Sequence, residues 1–97
     1  MTTTEYQHYI GGNWTGASGG ATYEDLDPWS GEVVAEVAAG TREDARRAVE
    51  AAAAAFPSWS QAPPAERQRV LLAAADILDR RADEVAGLLA RETGCCI

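Results

Sequence analysis

The sequence predicts an α+β fold, in which an N-terminal β-hairpin and short strands are followed by three α-helices. Two observations predict it in the 97-residue chain: glycines interrupt short β-favouring runs up to Gly40, and helical periodicity dominates after it. The large aliphatic residues lie mainly in the helical half, and much of the other apolar content is alanine. Because a chain this short buries only about 60–65% of its unfolded surface, we expect a poor independent core and elements that pack on something else.

The first two strands are predicted to form a tight hairpin. Tyr9-Ile10 and Asn13-Trp14 flank Gly11-Gly12. Two consecutive glycines can both adopt φ > 0, which the two-residue hairpin turn requires. The small residues from Thr15 to Gly20 are expected to form a loop.

A second pair of strands is predicted around a proline–glycine turn. Residues 22–27 contain β-favouring threonine and tyrosine. Pro28 presets φ for a turn that Gly31 can close, and valines 33, 34 and 37 mark the strand that follows. Strands are therefore expected over about residues 8–37, arranged as a meander.

The first helix is predicted over about residues 42–56. Thr41 is predicted as its N-cap, and the acidic residues 43 and 44 lie in the first turn, where the helix dipole favours negative charge. Pro57 is expected to end the helix, with Trp59 in the following loop folded back on the apolar side. The apolar stripe recurs at helical spacing and comprises Ala45, Val49, Ala52 and Phe56.

The second and third helices are predicted over about residues 64–78 and 81–92. Pro64 suits a first turn, Asp79 is interpreted as the break, and Gly94 as the C-terminal cap. The alternative is one continuous helix from Pro64 to Glu92. The face predicted to be buried comprises Arg67, Val70, Leu71, Ala74, Ile77 and Leu78 in the second helix, and Ala82, Val85, Ala86 and Leu89 in the third.

These two helices carry more large apolar side chains than one small layer can cover. We therefore expect some of them to stay exposed in this chain and to promote self-association. The side chains in question are Val70, Leu71, Leu72, Ile77, Leu78, Val85, Leu88 and Leu89.

The net negative charge of the chain disfavours two classes of binding partner. Fifteen acidic and eight basic residues give a net charge of -7, which disfavours binding to nucleic acid and to anionic membranes. The first nine residues are polar and do not form a signal peptide, and no apolar run approaches the ~20 residues of a membrane span. The expected location is the cytoplasm.

No catalytic, cofactor-binding or metal site is predicted from residue chemistry. The adjacent cysteines, Cys95 and Cys96, are interpreted as reduced thiols, since neighbours in sequence cannot easily form a disulfide. His8, the only histidine, lies in a polar segment without the packed neighbours that a catalytic base needs. The glycines do not form a G-x-G-x-x-G sequence that leads into a helix. Most carboxylates occupy helix caps or solvent-facing positions.

Five motifs nevertheless appear in an order that resembles the aldehyde dehydrogenase superfamily. Residues 9–14 (YIGGNW) are similar to its opening hairpin, and residues 26–37 (LDPWSGEVVAEV) resemble its "NPATGEVIAEV" turn and strand. Residues 43–59 contain the "AV", alanine run and "FPSW" of the next motif. Residues 64–78 are similar to "PAERxxxLxxAADLLE", and residues 80–94 resemble "RADELAxLxxxETGK", with Cys95 where many members have lysine.

The resemblance implies that residues 1–97 are an incomplete N-terminal segment of this fold. It implies an NAD(P)-dependent oxidation of an aldehyde to a carboxylic acid in a full-length relative, within an aromatic-aldehyde (benzaldehyde, vanillin or salicylaldehyde dehydrogenase-like) subgroup. The family's nucleophilic cysteine, general-base glutamate and cofactor-contacting residues match no position in this chain. We therefore expect it to bind no NAD or NADP and to be inactive alone.

The rival hypothesis is a small stand-alone interaction or structural module derived from the dehydrogenase N-terminus. It predicts a closed core or a tight oligomer, whereas an enzyme fragment predicts an exposed apolar face. The apolar, thiol-bearing end formed by Cys95, Cys96 and Ile97 is interpreted as that of a chain cut short.

Overall fold

The computed structural model describes residues 3–96 and confirms the predicted class, with short strands followed by three helices. The described elements are β1 (Glu5–Tyr6), β2 (His8–Ile10), β3 (Asn13–Thr15), β4 (Thr22–Leu26), β5 (Val33–Ala38), α1 (Arg42–Gln61), α2 (Pro64–Arg80) and α3 (Ala82–Thr93).

The predicted hairpin is confirmed. Strands β2 and β3 pair antiparallel with Tyr9 opposite Trp14. Gly11 and Gly12 adopt φ of 59° and 83°, the left-handed conformation that a two-residue turn requires of both positions. The rings of Tyr9 and Trp14 lie 4.9 Å apart between centroids, so a cross-strand aromatic pair stabilises the hairpin.

The predicted meander is wrong. Strands β4 and β5 pair antiparallel as expected, but β1 pairs parallel with β5, giving a three-stranded sheet in the order β1-β5-β4, separate from the hairpin. Strand β1 has two residues, which is too short to show an alternating pattern. Its partner, β5, lies some thirty residues away, so no local turn signal indicates the pairing.

Helix α1 begins where predicted but continues beyond Pro57 to Gln61, so the prediction that Pro57 ends it, with Trp59 in a loop, is wrong. A proline removes one N–H and crowds the preceding turn, and the strong helix propensity of five upstream alanines tolerates this. The hydroxyls of Ser58 and Ser60 donate to the carbonyls of residues three positions earlier, each at 3.2 Å. The helix ends instead at Gln61, and its C-cap, Ala62, is extended because it precedes Pro63.

The region after Pro63 forms two helices, α2 and α3, and not the single continuous helix of the alternative prediction. The two helices are separated at Arg81 rather than at Asp79. Arg81 adopts φ −106° and ψ 16°, and its N–H is shared between the carbonyls of Ile77 and Leu78. The charge pattern explains the boundary, because a basic residue lies in the last turn of α2 and acidic residues lie in the first turn of α3. Gly94 is the predicted C-terminal cap, with φ of 74°.

The described part of the chain buries very little. Its only buried residues are Ala17, Ala35, Ala38 and Asp44. The predicted apolar faces of all three helices are therefore not buried by this chain: Phe56 is 66% exposed, and α2 and α3 contain no buried residue. The sequence predicted that some of the eight large apolar side chains on α2 and α3 stay exposed. All eight are exposed, and the exposed fraction of each residue ranges from 37% at Leu88 to 64% at Leu71.

The shape of the chain agrees with this lack of burial. Its accessible surface is 7572 Å², whereas a compact protein of this mass exposes about 5,400 Å². Its radius of gyration is 16.8 Å, against about 13 Å for a compact domain of 100 residues. About 2,200 Å² of surface is thus in excess of what a closed core leaves exposed.

Among the helices of the described residues, none has the length and apolar character to cross a membrane.

Candidate functional site

The polar centre of the described chain is the carboxylate of Asp44, in the first turn of α1. It accepts hydrogen bonds from the main-chain N–H of Thr41 at 2.9 Å and from the N–H and hydroxyl of Ser18 at 3.0 and 2.8 Å. The hydroxyl of Thr41 also donates to it, and accepts from the Asp44 N–H, which completes a capping box. Arg47 forms an ion pair with the same carboxylate.

These donors decide the protonation of Asp44. The hydrogen bond from the Thr41 main chain, followed by those from Ser18 and by that from Arg47, holds the pKa of the Asp44 carboxyl far below its usual range. The side chain is 2% exposed and its oxygens are fully engaged. Asp44 therefore does not act as a base at neutral pH, and it joins the loop of residues 16–20 to the start of α1.

A cavity of about 420 Å³ lies beside this centre. The β2 residue His8 lines it, together with Tyr9, Ile10, Gly40, Thr41, Asp44, Ala45 and Ala48. Nδ1 of His8 is enclosed and has no hydrogen-bond partner among the described residues. A Cβ at Gly40 would lie 3.3 Å from Cε1 of His8, so the absence of a side chain at Gly40 makes room for the ring. The lining contains no Ser, Cys or Lys side chain, and its Thr41 hydroxyl already donates to the Asp44 carboxylate and accepts from the Asp44 N–H.

The two thiols directly follow α3 and its cap, Gly94. Cys95 and Cys96 are free and exposed, and the main-chain N–H of Cys95 donates to the Thr93 hydroxyl at 3.3 Å. Within residues 3–96, no group of three His, Cys, Asp or Glu side chains is arranged to hold a metal ion. That the thiols are bystanders, and that the chain holds no catalytic, cofactor or metal site, stays a prediction.

Within residues 3–96, neither the N-terminus of α1 nor the glycine pairs form a phosphate cradle for a dinucleotide. A phosphate cradle needs free N–H groups at a helix N-terminus. At α1 the Asp44 N–H is taken by the Thr41 hydroxyl, and two carboxylates occupy the first turn. Gly11 and Gly12 form the hairpin turn, and Gly19 and Gly20 precede a strand rather than a helix.

Two long-range contacts join the strands to the end of α3. The indole Nε1 of Trp29 donates to the Gly94 carbonyl at 2.9 Å. The interaction with the Asp25 side chain, followed by desolvation, raises the pKa of the Glu92 carboxyl above its usual range. Sequence reasoning missed both contacts, as well as the burial of Asp44. The sequence has no signal for any of the three; the capping-box spacing from Thr41 to an acidic residue three positions later predicts only the hydrogen bonds between Thr41 and Asp44.

Comparison with known proteins shows one family. The model of the "Aldehyde dehydrogenase family" matches residues 14–97. The chain is 49% identical over 85 residues to the vanillin dehydrogenase of Pseudomonas sp. (strain HR199 / DSM 7063), which covers 88% of this chain and 18% of that protein. It is 39% identical over 92 residues to malonate-semialdehyde dehydrogenase 1 of Geobacillus kaustophilus (strain HTA426), which covers 95% of this chain and 19% of that protein.

Comparison with solved structures gives the same result as comparison of sequences. The fold is similar to a salicylaldehyde dehydrogenase from Pseudomonas putida G7 complexed with salicylaldehyde, with a TM-score of 0.90 and 34% identity, over 95% of this chain and 19% of that one. It is also similar to PnpE in complex with nicotinamide adenine dinucleotide, with a TM-score of 0.87 and 38% identity, over 92% of this chain and 18% of that one. The chain thus spans about a fifth of the length of the relatives that it matches.

Proposed function

The chain belongs to the aldehyde dehydrogenase family, and we propose that it forms the N-terminal scaffold of an NAD(P)-dependent aldehyde dehydrogenase without supplying any catalytic residue. The observation that carries the proposal is the family match over residues 14–97, combined with about 2,200 Å² of excess surface. A segment that belongs in a larger fold exposes such a surface when alone.

The chain's own residues support a structural contribution. Asp44 joins the 16–20 loop to α1 with a fully engaged carboxylate, and Trp29 fixes the strand turn to the end of α3. These contacts set the relative positions of the strands and helices. The helical surface that they leave exposed is apolar and suits packing against further polypeptide.

The proposed cofactor is NAD or NADP, which supplies the hydride acceptor when bound. The relative PnpE was solved with nicotinamide adenine dinucleotide, whereas the residues described in this chain provide no cradle for it. We therefore assign cofactor binding to the polypeptide outside the matched segment. The mechanism that the resemblance implies for the whole enzyme, thiolate addition followed by hydride transfer and thioester hydrolysis, would likewise use residues outside this chain.

The proposed substrate is an aldehyde, with the aromatic class as the first to test. The similarity to the vanillin and salicylaldehyde enzymes supports the aromatic class, and the malonate-semialdehyde enzyme supplies the aliphatic comparison. The cytoplasmic location stays a prediction. A stand-alone module is not favoured, since it requires the closed core that the chain does not form.

A chimera tests the proposal. The segment of the Pseudomonas vanillin dehydrogenase that matches this chain is replaced by the chain itself, and NADH formation is followed with vanillin and malonate semialdehyde. We expect a soluble, active chimera and no NADH from the 97-residue chain alone. An insoluble or inactive chimera contradicts the scaffold function. NADH formation by the chain alone that disappears in Cys95→Ser or Cys96→Ser contradicts our interpretation of the thiols.

A further inference from the structure

We draw no further inference here: the strongest candidate, the cavity that His8 lines between β2 and the start of α1, carries no ligand site, because Nδ1 of His8, which lacks a partner among residues 3–96, is enclosed by this chain itself and the Thr41 and Asp44 groups of the lining already hydrogen-bond to each other.

Discussion

At the scale of single residues, Gly94 is constrained twice. Its φ of 74° belongs to the left-handed region, and a Cβ there would lie 2.8 Å from Nε1 of Trp29. Gly87, in the middle of α3, has open space around its missing Cβ. The same substitution should therefore have opposite effects at the two positions.

Gly94→Ala is expected to destabilise the chain by about 1–2 kcal/mol, from the left-handed backbone alone, and further through the clash with Trp29. Gly87→Ala is expected to stabilise it by about 1 kcal/mol, because alanine is the better helix former. Urea unfolding followed by circular dichroism measures both. Stabilisation by Gly94→Ala would contradict the described cap.

The carboxylate of Asp44 is expected to make the stability of the folded chain depend on pH. Its pKa is lower in the folded chain than in the unfolded chain, so the unfolded state binds more protons and stability falls with decreasing pH. Its contribution is fully present at neutral pH and is lost as the pH falls below about 4.

Asp44→Asn is expected to melt at a lower temperature than the parent at pH 7 and to approach it in acid. Glu43→Gln is the matched control, since Glu43 lies beside Asp44 but is exposed. Its pKa is lowered mainly by the hydrogen bond with Arg46, and it is expected to change the pH profile less. Parallel pH profiles for the parent and Asp44→Asn would refute the account of this carboxylate.

At the scale of elements, α1 contains an internal proline and α2 begins with one. Pro57 deprives the carbonyl four residues earlier of its donor, whereas Pro64 occupies the first turn, where an N–H has no helical partner. Pro57→Ala should stabilise the chain by about 3 kcal/mol, and Pro64→Ala should change its stability much less. Helix content and urea midpoints report both. Equal responses would show that α1 does not continue through residue 57.

Local signals predicted much of the fold because they act over a few residues. The diglycine turn, Thr41 and Gly94 were each predicted from neighbouring residues, and the structure confirms them. The pairing of β1 with β5 and the contact of Trp29 with Gly94 depend on residues far apart in sequence, and no periodicity encodes them. Pro57 shows that a strong local signal is overridden when the helix around it is sufficiently favourable. Of the candidate site, the charge at Asp44 was predictable, but its burial was not, since Ser18, which donates to the carboxylate from the 16–20 loop, lies 26 residues away in sequence.

At the scale of the whole molecule, the exposed apolar faces of the helices lead us to expect that the isolated chain unfolds with weak cooperativity. All eight large side chains named above on α2 and α3 are exposed, so the isolated chain should bind a hydrophobic dye and self-associate. Its thermal transition should be broad. Sedimentation velocity, dye fluorescence and circular dichroism measure these properties, with the active chimera as the control in which the faces are covered. A sharp, high-temperature transition from a monomer that binds no dye would contradict the exposed faces.

The bond between Trp29 and Gly94 has a consequence for the order of folding. It closes a loop of 65 residues, and for a flexible loop of that length the entropic cost of closure is about 4 kcal/mol. One exposed hydrogen bond contributes only about 1 kcal/mol, so it cannot close the loop unaided. The helices must first shorten the distance that the chain has to span. We therefore expect this contact to form late in folding and to open early, and the exposed indole of Trp29 reports on it by fluorescence once Trp14 and Trp59 are replaced by phenylalanine.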